Sequence, residues 1–142
     1  MKEKPDYYYR QSAVIPYYQE SGQLSVVLVT TKKKQKWTLP KGIVEPRLSP
    51  PESARKEAFE EAGIEGYVDE RLFDRFEYDK WGGTCSVQVF LMRVTRLLSS
   101  WPEGDERERQ LFAPCRAPER IGREEIKPVL ARFCEHQHYL PL

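Results

Sequence analysis

Glu57, Glu60 and Glu61 fall at i, i+3 and i+4 of the run PESARKEAFEEAG. On an α-helix those offsets share one face, so the sequence gathers three carboxylates with few cations beside them. Like charges so placed lower helix stability by roughly a few tenths of a kcal/mol per pair. A divalent cation removes that penalty. Hard oxygen ligands suit Mg²⁺ or Mn²⁺, whose shells are completed by water and by phosphate oxygens. The cluster therefore points to phosphoryl chemistry, in which fixed charges position and neutralise the reacting group. Read without its surroundings, the same run is a solvated face rich in Glu and Lys.

The surroundings favour the metal reading. From Gly42 to Ile64 the chain reads GIVEPRLSPPESARKEAFEEAGI, and it resembles the Nudix box, G-x5-E-x7-R-E-U-x-E-E-x-G-U with U aliphatic. Gly42 opens the register, Glu57 stands in the R-E pair, Ala58 takes the first aliphatic place, and Glu60 and Glu61 form the E-E pair. Gly63 and Ile64 close it. Two positions depart from the pattern: Leu48 stands where the family has its first Glu, and Lys56 where it has Arg. The family's Arg holds a catalytic carboxylate through a planar fork of donors, which the ammonium of Lys56 replaces with a point charge.

The resemblance implies an α+β fold, a Nudix-type α/β/α sandwich with a mixed sheet and a loop-helix-loop catalytic box. It also implies metal-dependent hydrolysis of a phosphoanhydride in a nucleoside-diphosphate-linked or polyphosphate substrate. By the same carry-over, Glu57, Glu60 and Glu61 hold Mg²⁺ or Mn²⁺ with the Lys41 backbone carbonyl as a further ligand, and Lys56 supports catalysis. Which glutamate orients or deprotonates the attacking water stays open. Some members place that base in a later loop, where Glu103, Asp105, Glu106 and Glu108 are available and Glu106 and Glu108 are the favoured pair.

PKGIVEP and VTRLLSSW look like the branch that cleaves diphosphoinositol polyphosphates and diadenosine polyphosphates. That branch implies basic residues for the phosphate chain: Arg10, Lys32, Lys33, Lys34, Lys36, Lys41 and Lys80, the Lys32 to Lys34 trio being equally readable as a solvated hairpin tip. Tyr17, Tyr18, Trp37, Tyr78 and Trp81 could stack a base or simply pack. Within enzymes the alternatives are an ADP-ribose or nucleotide-sugar pyrophosphatase and a nucleoside triphosphate pyrophosphatase. Leu48 and Lys56 motivate an alternative of another class, a non-catalytic nucleotide- or RNA-binding domain.

The elements that must position these groups are legible in outline. Arg10 to Tyr18 and Gln23 to Thr31 read as a hairpin around Glu20-Ser21-Gly22, with Pro16 expected at a sheet edge or a strand end. Pro50 and Pro51 mark the start of the box helix, Ser49 its N-cap, and Gly63 its αL end. Ala54, Ala58, Phe59 and Ala62 are expected to face inward, leaving the glutamates on another side. Tyr67 to Tyr78 mixes strand-like residues with charges, Trp81-Gly82-Gly83 marks a turn, and Thr84 to Thr95 alternates as a strand. Trp101 to Arg109 reads as a polar loop. A last helix spans Pro118 to His136, its proper start near Pro128.

Composition bounds the rest. At 142 residues the chain fits one domain over 1–142, able to bury roughly two thirds of its unfolded surface. With 23 basic and 22 acidic residues the formal charge is +1, so no global field favours nucleic acid or an anionic membrane. The partner expected is a small nucleotide or polyphosphate, with no membrane, no specific nucleic acid, and a monomer or homodimer as the state. No apolar run approaches the roughly 18 residues of a membrane span, and MKEKPDYYYR lacks a signal peptide's apolar run, so a cytoplasmic location is expected. Cys85, Cys115 and Cys134 form no zinc spacing and read as reduced packing residues. His136 and His138 read as part of a solvated segment, with a weak metal site as the alternative.

Overall fold

The computed structural model describes residues 1–33 and 36–141, so Lys34, one of the expected phosphate-binding lysines, lies outside the described residues. Strands β1 (Arg10–Glu20) and β2 (Gln23–Thr30) form the expected hairpin, closed by a two-residue turn. After them come β3 (Trp37–Thr38), β4 (Lys41–Ile43), helix α1 (Pro50–Ala62), β5 (Ile64–Val68), β6 (Asp74–Lys80) and β7 (Gly83–Leu97). The chain ends with β8 (Arg109–Phe112), a short helix α2 (Ala117–Arg120) and α3 (Lys127–His136).

All strands join one mixed sheet. Its spine runs β3-β2-β1-β7-β5, with β4 on β1, β6 on β7 and β8 on β2. Strands β1 and β7 are parallel in register from Arg10 opposite Ser86 to Tyr17 opposite Arg93, and the other pairings are antiparallel. Because β1, β2 and β7 are central, alternate residues on both faces are apolar. Ala13, Ile15, Val26, Leu28, Val87 and Val89 face a core that α3 closes with Val129, Leu130 and Phe133. Val14, Val27, Val29, Phe90, Met92 and Val94 face the other layer, against Ala54, Ala58 and Ala62 of α1. The result is the expected α/β/α sandwich. No helix among the described residues is long and apolar enough to cross a membrane.

Pro16 corrects the expectation of an edge or strand end, for it lies inside central β1 opposite Met92. On the other side of β1, β4 pairs with residues Gln11 to Ala13 and β2 with Tyr17 to Glu20. The Val14 N–H still donates to Pro40 O at 3.2 Å on that side. Two residues later Pro16 occupies the interval between the two partners, where a missing N–H leaves no ladder bond unmade.

Helix α1 is bounded as its residues dictate. Ser49 Oγ accepts from Glu52 N at 3.2 Å while Glu52 Oε1 accepts from Ser49 N at 2.8 Å, a complete capping box. Gly63 ends the helix at φ 62°, an αL conformation that also lets Trp101 lie flat against it where a Cβ would clash. The buried stripe is Ala54, Ala58 and Ala62, small residues that bring the helix axis close to the sheet. Phe59, expected inside, is 39% exposed. Glu61, expected outside, is 6% exposed, because it sits next to the alanine stripe on the side that overlooks β4.

The C-terminal helix begins at Lys127 with Pro128 in its first turn, as its sequence suggests. Cys115 and Cys134 do not remain separate thiols: they are joined by a disulfide with Cα atoms 4.9 Å apart, tying the segment before α2 to α3. Cys85 is buried and free. Their separation of 19 residues carried no pairing signal, because folding the last helix back is what brings the two together.

Candidate active site

Beside α1 lies a cleft of about 700 Å³ bounded by β4, the loop before β8 and the end of β6. Glu57 and Glu61 face into it from consecutive turns of α1. Lys41 N donates to Glu61 Oε1 at 3.2 Å, which fixes β4 against the helix. Gly42 sits so close to the Glu57 side chain that a Cβ there would overlap its carboxyl carbon, so the glycine lets helix and loop meet.

The loop after β7 supplies two residues that sequence reading did not favour. Arg107 is 12% exposed and holds Glu103 Oε1 at 2.7 Å and Glu61 Oε2 at 3.7 Å. Its Nη1 also donates to Thr30 O at 3.0 Å, pinning this loop to the end of β2. Glu103 thus joins Glu57 and Glu61 along the cleft. Glu106 instead pairs with Lys32 at 3.5 Å in an exposed position, and Glu108 is exposed and outside the cleft lining. Of the loop carboxylates, Glu103 rather than Glu106 or Glu108 is brought to the glutamates, because its backbone N donates to Glu60 O and its side chain is drawn in by Arg107.

Burial sets the electrostatics. It pushes the Glu61 carboxyl up to about 8, opposed by Arg107 and reinforced by Glu57. Glu57 is raised as well, chiefly by burial, with Glu60 and Glu103 adding repulsion. Lys41 is pushed down to about 8 by burial and then by the charge of Arg123. Its Nζ donates to Tyr78 OH at 3.1 Å, and Tyr78 OH donates to Gln11 Oε1 at 2.8 Å. Tyr78 rises to about 12, first from burial.

Glu60 points elsewhere. Lys56 Nζ lies 3.4 Å from Glu60 Oε2 and 2.8 Å from Glu45 Oε1, so the lysine bridges two carboxylates. Leu48 lies in a shallow neighbouring depression with Arg10, and Glu45, three residues earlier, supplies the carboxylate that meets Lys56. As the side chains stand, no three His, Cys, Asp or Glu residues among the described residues converge tightly enough to hold an ion. The donor set nevertheless fits a hard divalent cation. Two carboxylates raised by burial share one wall with Arg107 as the ion-pair partner of Glu61, and Glu60, on the same helix, is held by Lys56.

The expected cations divide. Lys32, Lys41 and Lys80 line the cleft. Arg10 and Lys36 are exposed and outside its lining, Lys36 packing its stem on Gly122. Arg123 lines the cleft without having been anticipated. Of the aromatics proposed to stack, Trp37 packs on Phe112 and Tyr17 on Phe133, whereas Tyr78 and Trp81 line the cleft with Tyr7 and Tyr8. His136 packs its ring on Phe73, 5.3 Å between centroids.

Trp101 completes the helix end. Its Nε1 donates to Glu61 O at 2.9 Å, and Arg109, stacked 4.3 Å over its ring, donates to Ala62 O at 2.9 Å. A cation and an N–H donor thus satisfy the last carbonyls of the helix that carries the glutamates.

The chain is similar to known proteins in sequence and in fold. The family model described as NUDIX domain matches residues 8–133. Nudix hydrolase 12, mitochondrial, of Arabidopsis thaliana is 30% identical over 119 residues, covering 78% of this chain and 59% of that protein. Diphosphoinositol polyphosphate phosphohydrolase 3-alpha of Mus musculus is 27% identical over 99 residues, covering 70% and 59%. This chain therefore spans about three fifths of the length of these curated relatives. Among solved structures, a C. elegans Ap4A hydrolase binary complex superposes with a TM-score of 0.73 at 20% identity, covering 92% of this chain and 98% of that one.

Proposed function

Since the chain belongs to the Nudix family, we propose that it is a Mg²⁺- or Mn²⁺-dependent hydrolase of a phosphoanhydride bond, acting through a single domain over residues 1–142. The observation that carries this reading is the pair Glu57, half-buried, and Glu61, buried, side by side in a cleft and raised in pKa with Arg107 as the ion-pair partner of Glu61. Such a wall costs stability unless a cation occupies it. Glu57, Glu60 and Glu61, with the Lys41 carbonyl, would hold the ion, which when bound polarises phosphoryl oxygens and lowers the pKa of water.

The chain's own groups account for the remainder. Lys32, Lys41 and Lys80, which line the cleft, meet the anionic oxygens of the substrate. With the ion bound the glutamates are ionised, and the one that takes a proton from the attacking water comes from the cleft carboxylates, where Glu61 and Glu103 both stand against Arg107. Arg107 orients Glu61 and Glu103 at once. Lys56, held between Glu45 and Glu60, limits the repulsion that Glu60 adds to the wall.

The finer reading is a dinucleoside polyphosphate or a diphosphoinositol polyphosphate as substrate. Relatives named for the latter and a similarly folded protein titled Ap4A hydrolase support it. The test measures phosphate and nucleotide release from diadenosine polyphosphates, diphosphoinositol phosphates, ADP-ribose and nucleoside triphosphates, each with Mg²⁺, Mn²⁺ or chelator. Cleavage of one class that stops with chelator is expected. Glu60→Gln should lower that rate on the order of a hundredfold or more with the fold intact. Silence across the panel alongside measurable ligand binding would replace the hydrolase with a binding domain.

A further inference from the structure

Arg123 is held in place by its neighbours in the chain. Ile121 bridges to Trp37 and Gly122 N donates to Trp37 O at 2.9 Å, which brings the segment between α2 and α3 to the rim of the cleft. From there the guanidinium lies over the Tyr78 ring, 4.8 Å from its centroid, and the same ring receives Lys41 Nζ at 4.6 Å. Two cations therefore converge on one aromatic ring, and Lys80 lines the same cleft.

The donors of Arg123 are unevenly used. Nη1 meets Glu125 Oε1 at 3.5 Å, a long contact. Nε is shielded from solvent and has no hydrogen-bond partner among the described residues. Nε itself is closed to solvent, so an anionic oxygen meets the guanidinium through its Nη groups, from the cleft that Arg123 lines.

Distance along Lys41 relates this corner to the glutamates. Its backbone N bonds Glu61 while its side chain reaches Tyr78, so the two regions are separated by about the reach of one lysine side chain. A phosphate chain whose reacting group sits at the carboxylates extends that far with its next one or two groups.

We infer that Arg123 is a specificity residue whose guanidinium, laid on Tyr78 beside Lys41, receives a phosphate of the substrate beyond the one held at Glu57 and Glu61. This rests on the phosphoanhydride reading above, and the inference concerns which substrates are favoured: those with phosphates past the scissile group.

The test reads binding without turnover. Inorganic tripolyphosphate is titrated calorimetrically, in chelator and at low salt, into wild type, Arg123→Gln and Arg55→Gln. Arg55 is exposed on α1 and controls for loss of one positive charge. Wild type and Arg55→Gln should bind alike, with Arg123→Gln about tenfold weaker. Equal affinity in all three, equal weakening in both variants, or no binding by wild type would overturn the assignment. Should Arg123→Gln fail to fold, Arg123→Lys serves: it keeps the charge and loses the planar pair of Nη donors, and an affinity equal to wild type would overturn the assignment. Because neither metal nor hydrolysis enters, a failure here is distinct from a failure to find an active substrate. If a substrate is found, Arg123→Gln should raise KM for long phosphate chains more than for short ones and leave kcat little changed.

Discussion

Glu61 joins burial, repulsion and function in one side chain. Burial pushes its carboxyl up to about 8 from an ordinary value of 4.5. Between those values the folded state binds the proton more tightly than the unfolded state, so without metal this group's contribution to stability is full below pH 4.5 and is lost as pH rises toward 8. Thermal melts in chelator should therefore show a decline across that interval which Glu61→Gln reduces. Saturating Mg²⁺ should raise the melting temperature most at the alkaline end, where the carboxylate is ionised. A melting temperature insensitive to Mg²⁺ at pH 8 would remove the metal from Glu61. The glutamates were legible in the sequence because their relation is local, three and four residues along one helix. Arg107 and Arg123 were not, and Glu103 and Tyr78 stood only among several loop and aromatic candidates, because each reaches the cleft through pairings between distant segments, such as Arg107 with Thr30 O and Gly122 with Trp37 O.

At the level of the element, α1 depends on its boundaries and on three alanines. Ser49→Ala removes half of the capping box and should lower stability by about 1 kcal/mol, read as a shift in urea midpoint with an unchanged slope. Ala58→Leu tests the packing. Ala58 is fully buried where the helix approaches the sheet, and a larger side chain should cost about 1–3 kcal/mol. It should also lower turnover, since Glu57 and Glu61 flank it and would move with the helix axis. Cap and stop signals made this helix readable almost to the residue. The short strands β3, β4 and β8 were not readable, because pieces of two to four residues carry too little periodicity and gain their structure from the strands they join. Pro16 misled for a related reason: the side of β1 on which its N–H is missing changes partner at that point, and nothing local announces it.

At the level of the molecule, α3 closes the core on one face of the sheet and is tied covalently to the segment before α2. The Cys115 to Cys134 bond closes a loop of modest length, and its reduction should lower stability by about 2–4 kcal/mol. Peptide mapping without reductant should recover the two cysteines as one linked species, and hydrolysis should survive reduction at temperatures below the lowered melt, since both residues lie outside the cleft lining. Cysteine counting could not supply this bond, and the α/β/α sandwich was legible only through the resemblance of Gly42 to Ile64, since periodicity marks strands and helices without giving their order in the sheet.

Trp101 gives the molecule a built-in optical signal. Its indole donates to the peptide oxygen of Glu61 and is covered by Arg109, so its emission depends on the polarity around the carboxylates. Trp81 lies in the cleft as well, while Trp37 packs away from it on Phe112. In a Trp81→Phe background, emission excited at the indole band should follow occupancy of the carboxylates by an ion, allowing its affinity to be titrated before any substrate is known.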